Sequence, residues 1–143
     1  MGWLSPYLLT AAIAWVVAQG LKYVIDGIIL HRLPTARQLY FSGGMPSAHS
    51  ALVVSLLVVI GVYNGLGSPV FAIMAAVAAI TMYDAIMVRR SSGEQGASLT
   101  ALIKEQKSKV RLPRVAKGHT PLEVIAGALV GAIVAEVVVL IVK

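Results

Sequence analysis

The sequence predicts an all-α fold, a membrane-embedded bundle of about four transmembrane helices. Three observations predict it. Of the 143 residues, 58% are hydrophobic and only 13% are charged, whereas a soluble domain carries about 25% charged residues. The mean hydropathy is +0.84. The apolar residues gather into four runs, each near the ~20 residues that cross a hydrocarbon core. The chain has no Cys, which excludes disulfides, thiolate metal sites and cysteine nucleophiles.

The elements follow in chain order. The first span covers about 7–30. Its start, Met1-Gly2-Trp3-Leu4-Ser5-Pro6, lacks a basic segment, so a retained helix is expected rather than a cleaved signal. Lys22 and Asp26 fall in its last two turns. The second span, about 47–63, opens on Gly43-Gly44-Met45-Pro46-Ser47-Ala48-His49-Ser50. The glycines allow a tight turn, and Pro46 reads as the first helical residue. The third span, about 69–89, is rich in Ala, holds Asp84 and ends at Arg89 and Arg90. The fourth, about 120–142, opens on Gly118-His119-Thr120-Pro121-Leu122-Glu123. That is a capping-box pattern, with Thr120 at the N-cap and Glu123 three residues on. Gly127 and Gly131 form a small-xxx-small face that reads as close helix packing. Glu136 reads as an interfacial or helix-packing residue toward the far face.

The connecting segments set the topology. Residues 31–45 hold Arg32 and Arg37 with no acid. Residues 90–118 read as a basic loop, with Arg90, Lys104, Lys107, Lys109, Arg111, Arg114 and Lys117 against Glu94 and Glu105. The turn at 64–68 is uncharged. The positive-inside bias then places both basic loops in the cytoplasm of a bacterial plasma membrane and both termini outside. The net charge of +6 fits anionic headgroups, and no interleaved aromatic and basic platform suggests nucleic acid. His49, His119, Lys22, Asp26 and Asp84 all come to the cytoplasmic layer. Ionisable groups in a membrane protein usually face the bundle interior, so one shared pocket is expected there.

The residues in that layer suit phosphate. A helix start offers unpaired N–H groups and the positive end of its dipole. Backbone N–H groups at Ser47, Ala48 and His49, with the Ser47 hydroxyl, can cradle phosphoryl oxygens. A protonated His49 can deliver a proton to a leaving alkoxide. His119 and Glu123 are four apart, so the carboxylate can fix the imidazole tautomer and leave the other ring nitrogen to attack. The same Glu123 can instead close the capping box, and the two roles compete for one carboxylate. Arg89 and Arg90 are the preferred phosphate clamps, with Lys22 a further cation. Asp84 can hold a clamp in place, and Asp26 can pair with Lys22. A divalent cation on Asp84 with Asp26, Glu94 or Glu123 is the metal-dependent alternative.

These motifs resemble the type 2 phosphatidic acid phosphatase superfamily, which includes vanadium haloperoxidases, and above all its divergent branch of small membrane proteins. The resemblance rests on residues 43–50, on Met82-Tyr83-Asp84-Ala85 leading to Val88-Arg89-Arg90, on Gly93-Glu94-Gln95 and on residues 118–123. It implies that Ser47 and His49 match the superfamily's Pro-Ser-Gly-His motif, with Ala48 for its glycine. It likewise implies that His119 and Glu123 match the nucleophile and its orienting acid, with Glu for Asp. The superfamily's Lys motif, followed seven positions on by Arg-Pro, is absent, because Ile29 stands seven after Lys22. Pro113 occupies the place of the Arg six residues before the second His. The expected function is therefore a membrane phosphatase acting on a lipid phosphate monoester through a phosphohistidine, a scheme that needs no cofactor or metal. The alternatives are a non-catalytic binding protein or transporter for an anionic or phosphorylated lipid, and a metal-dependent lipid phosphotransferase. Four short spans bury little polar surface, so a homo-oligomer is also expected.

Overall fold

The computed structural model describes residues 5–33, 35, 44–113, 115 and 118–142. Arg37, Gly43, Arg114 and Lys117 lie outside them. The described residues form helices and no strand: α1 (Pro6–Leu30), α2 (Ala48–Asn64), α3 (Pro69–Tyr83), a π-turn (Asp84–Val88), α4 (Arg89–Glu105) and α5 (Pro121–Val142). Pro6 and Pro69 sit in the first turns of α1 and α3, where a missing N–H costs nothing. Ser68 caps α3, its hydroxyl accepting from the Phe71 amide at 3.2 Å. Gly65, at φ +83°, stops α2 in a conformation that a side chain disfavours.

The start of α2 differs from the sequence expectation. Ser47, not Pro46, is the boundary residue, and its hydroxyl accepts from the Ser50 amide. Pro46 therefore lies just outside the helix. A serine hydroxyl satisfies one of the orphan first-turn amides, and that is what fixes the helix start here.

The larger difference is at 90–118. The segment read as a loop continues as helix to Glu105, so that Pro69–Glu105 is one 37-residue helical stretch. At 1.5 Å per residue it is ~55 Å long, far more than the ~30 Å of hydrocarbon. Its polar half is held by i,i+4 contacts, from Arg90 Nε to Glu94 Oε1 at 3.2 Å and from Gln95 Nε2 to Ser91 Oγ at 3.1 Å. Such pairs add a few tenths of a kcal/mol each, about 0.2–0.5, and offset part of the penalty of Gly93 and Gly96. Charge alone was therefore a poor marker of a helix end.

Helix α2 is the centre of the bundle and packs on α1, α3 and α5. Its closest neighbour is α5. A Cβ on Gly127 would overlap the Ser47 carbonyl, and one on Gly131 would overlap the Ala51 carbonyl. Small side chains complete the packing around α2, with Ala14 and Ala18 of α1 and Ala51 of α2 fully buried. At the far end Val59, Ala135 and Val139 form a second cluster with Tyr7 packed against it. The Tyr7 hydroxyl donates to Asn64 Oδ1 at 2.8 Å, pinning the start of α1 to the end of α2. The outer surface is apolar, with Leu8, Ile28, Ile73, Ile80, Leu129 and Leu140 all exposed. α1, the α3–α4 stretch and α5 are long and apolar enough to cross a membrane, and α2 is a shorter apolar helix. The chain is an integral membrane bundle.

A first prediction follows from the α2–α5 seam. Gly131→Ala is expected to destabilise the bundle by about 1–3 kcal/mol through overpacking. Leu129→Ala, on the exposed face of the same helix, is expected to leave stability near wild type. Thermal unfolding in detergent micelles measures both.

Candidate active site

Helix α5 begins with the expected box. The Thr120 amide donates to Glu123 Oε2 at 3.1 Å, and the Glu123 amide donates to Thr120 Oγ1 at 3.3 Å. Yet Glu123 Oε2 also lies 2.9 Å from His119 Nδ1. The two roles therefore coexist on one carboxylate oxygen. A carboxylate can only accept, so Nδ1 carries the proton, and in the neutral ring the lone pair is on Nε2. Both side chains are partly buried, at 13% and 22% exposed, which keeps the pair out of bulk water while leaving a way in.

His119 is held from a second side by the π-turn. In an α-helix the Arg89 amide would bond the Ala85 carbonyl; here it bonds the Asp84 carbonyl instead. Ala85 O is thereby passed over, and it accepts the His119 amide at 3.0 Å. A π-turn commonly frees a backbone group in this way. Gly118 completes the dock. A Cβ there would overlap the backbone of Arg90, so only glycine lets the residues just before α5 lie against the start of α4.

The same turn organises Asp84 and Arg89. They are five residues apart, a spacing that a π-turn brings onto one face, and Arg89 Nε lies 2.5 Å from Asp84 Oδ2. That contact uses one donor of a guanidinium that has five. The remaining donors stay available to an anion.

His49 arrives from α2. The Ser47 amide donates to the Glu123 carbonyl at 3.0 Å, so the N-terminal ends of α2 and α5 are tied together. His49 is exposed in the first turn of α2, within electrostatic reach of Arg89, His119, Asp84 and Lys22. Lys22 is buried, at 5% exposed, and within electrostatic reach of Asp26 and Glu123. Gly44, at φ +148°, lies over these two; a Cβ on it would stand 3.1 Å from Lys22 Cε and 3.4 Å from Asp26 Oδ1. Gly44 thus packs against α1 at the level of Lys22 and Asp26. Helix geometry leaves the Ala48 and His49 amides without intrahelical partners.

Two expected residues stand apart. Arg90 turns its side chain to Glu94 in an exposed ion pair, and it is the Arg90 backbone that serves the site, as the floor under Gly118. Ser47 is fully buried. Its Oγ accepts from the Ser50 amide at 3.4 Å and from Ser50 Oγ at 3.0 Å, so it caps α2 rather than facing open space. Sequence reasoning overlooked Ser50, although its spacing from Ser47 is that of a cap and its N3 amide. It also overlooked the Ala85 carbonyl, for which no local signal exists. Among the described residues, no three His, Asp or Glu side chains cluster as a metal site.

His49 lies within electrostatic reach of His119, Arg89 and Lys22. The model of the divergent PAP2 family matches residues 4–134. The uncharacterized membrane protein YuiD of Bacillus subtilis (strain 168) is 34% identical over 139 residues, covering 87% of each chain. No solved structure matches. With the motif residues gathered at one end of the bundle and the match running through all its helices, the chain belongs to the divergent PAP2 family.

Proposed function

We propose that this protein is a membrane phosphatase that hydrolyses a lipid phosphate monoester at the cytoplasmic leaflet, with both chain termini outside. The observation that carries the reading is the 2.9 Å contact between Glu123 and His119 Nδ1. It leaves Nε2 as a nucleophile beside an anion-binding helix start. In the first step Nε2 attacks phosphorus, the ester P–O bond breaks, and His49 gives its proton to the departing alkoxide. In the second, water attacks the phosphohistidine, His49 takes the water's proton, and the P–N bond breaks to release phosphate. Glu123 stabilises the imidazolium character that develops on His119. Arg89, Lys22 and the Ala48 and His49 amides oppose the charge on the phosphoryl oxygens. Asp84 orients Arg89.

The test is phosphate release from vesicles carrying single lipid phosphates, by the purified protein, with and without chelator and vanadate. The expected result is release that vanadate inhibits and chelator spares, with an acid-labile phosphoenzyme trapped during turnover. Binding of the lipid with no release would replace catalysis by carriage, and loss of release in chelator would replace the histidine scheme by a metal-dependent one.

The two arginines should separate cleanly. Arg89→Ala is expected to lower kcat/KM by about 10²–10³, the range for losing one donor to transition-state charge. Arg90→Ala is expected to change it by less than about threefold, as befits a solvent-exposed ion pair. Steady-state kinetics on the same vesicles reads both.

A further inference from the structure

The π-turn serves two groups of the site at once, and a single change of winding would release both. Its residues, Asp84-Ala85-Ile86-Met87-Val88, include no Gly or Pro, and Ala and Met favour an ordinary α-helix. In that register the Arg89 amide would bond Ala85 O instead of Asp84 O. The π-turn holds one residue more than an α-turn, so its loss would rotate everything from Arg89 onward by ~100° about the helix axis. Three contacts would go together. Asp84 and Arg89 would part, because residues five apart stand ~140° around an α-helix. The Arg90 backbone would turn away from Gly118. Ala85 O, taken up by the helix, would no longer stand open to the His119 amide.

The bundle itself does little to prevent this rotation. Helix α3 packs on α2 and the π-turn touches α5, whereas among the described residues α4 packs closely on none of α1, α2 and α5. The π register is held instead by the contacts it alone permits, and the Asp84–Arg89 ion pair is the side-chain one. We propose that Asp84 is a positioning residue for His119: by pairing with Arg89 it selects the π register, and that register presents Ala85 O to seat the histidine. Such a coupling is reciprocal. An anion on Arg89 favours the register that keeps Arg89 within reach of His49, and thereby tightens the hold on His119. Capture of a phosphoryl group and placement of the imidazole are then one event, and the empty site holds its histidine more loosely. The proposal rests on the anion site at Arg89 in the reading above, but not on turnover.

The chain has three histidines, His31, His49 and His119, so selective ¹⁵N-histidine labelling gives three backbone amide signals. His31→Ala and His49→Ala variants assign them. The measurement is hydrogen exchange at the His119 amide of the full chain in lipid nanodiscs, with and without orthophosphate. In the wild type, orthophosphate is expected to slow that exchange by at least about fivefold, the lower end of ordinary coupling between sites. Arg89→Gln is expected to abolish the slowing. Asp84→Asn, without orthophosphate, is expected to quicken exchange roughly two- to fivefold, the range for a part-exposed ion pair. Asp84→Glu, which restores the charge, is expected to recover most of the protection. A thermal melt of each variant separates this from general loosening, and the wild-type comparison needs no variant at all. The proposal falls if orthophosphate leaves His119 exchange unchanged, if Arg89→Gln keeps the slowing, or if Asp84→Asn with a wild-type melt exchanges as wild type does. Slowing without phosphate release from vesicles would overturn the phosphatase reading and leave this coupling standing; release without slowing would do the reverse.

Discussion

Replacing His119 with alanine is expected to reduce phosphate release by at least about 10⁴-fold, the scale on which loss of a covalent nucleophile registers. Lipid binding should persist, because Arg89, Lys22 and the α2 amides remain. The phosphoenzyme should vanish with it, and that separates a nucleophile from a histidine that merely packs. Glu123→Gln is the sharper companion. Glutamine can close the capping box as glutamate does, so the hydrogen bonds to Thr120 and to Nδ1 survive and only the charge is lost. Stability should stay within about 0.5 kcal/mol of wild type while kcat falls about 10²-fold, since a neutral partner opposes less of the positive charge on imidazole. Glu123→Ala removes the box too and should add about 1 kcal/mol of destabilisation. Equal kcat for Glu123→Gln and wild type would show that the contact serves only the helix start.

The sequence carried the helical membrane class because that class is written in one-dimensional facts: apolar runs, their length and the placement of charge. It also carried the pairing of His119 with Glu123, since i,i+4 spacing on a helix is a distance. What it did not carry were features decided by another element. The π-turn at Asp84–Val88 has no Pro or Gly within it to announce it, and its value lies in offering Ala85 O to a chain segment more than thirty residues away. Arg89 and Arg90 are neighbours of identical type, and only the local winding turns one to Asp84 and the other to Glu94. Ser47 looked like a ligand because serine hydroxyls bind phosphate, but the same hydroxyl caps helices, and burial against α5 decided between the two. The polar extension of α3 was misjudged for a related reason. Arginine, glutamate and lysine mark the membrane edge, yet they are good helix formers and leave the helix free to continue.

The second large effect is expected at Gly118. A methyl group there would overlap Arg90 N, Cα and Cβ together, and backbone atoms in the middle of a 37-residue helical stretch cannot step aside. Gly118 and His119 must move instead. Their movement breaks the His119 amide bond to Ala85 O, which is 3.0 Å long in the docked state, and swings the imidazole away from phosphorus. A misplacement of about 1 Å is enough to lose about 10²-fold in rate, so Gly118→Ala is expected to lower kcat by that amount. The groups proposed to bind phosphate lie on α1, α2 and the first turn of α4, none of which carries Gly118, so KM should change by less than about threefold. Thermal stability should fall far less than for Gly131→Ala, because Gly131 sits in the central seam and Gly118 precedes α5 at the bundle's edge. The comparison is informative because both variants add the same methyl group at a backbone contact. A rate loss with preserved stability in one, and a stability loss in the other, would locate the catalytic precision of this small bundle in the dock between Gly118 and the π-turn. Wild-type kcat in Gly118→Ala would mean that His119 is positioned by Glu123 alone.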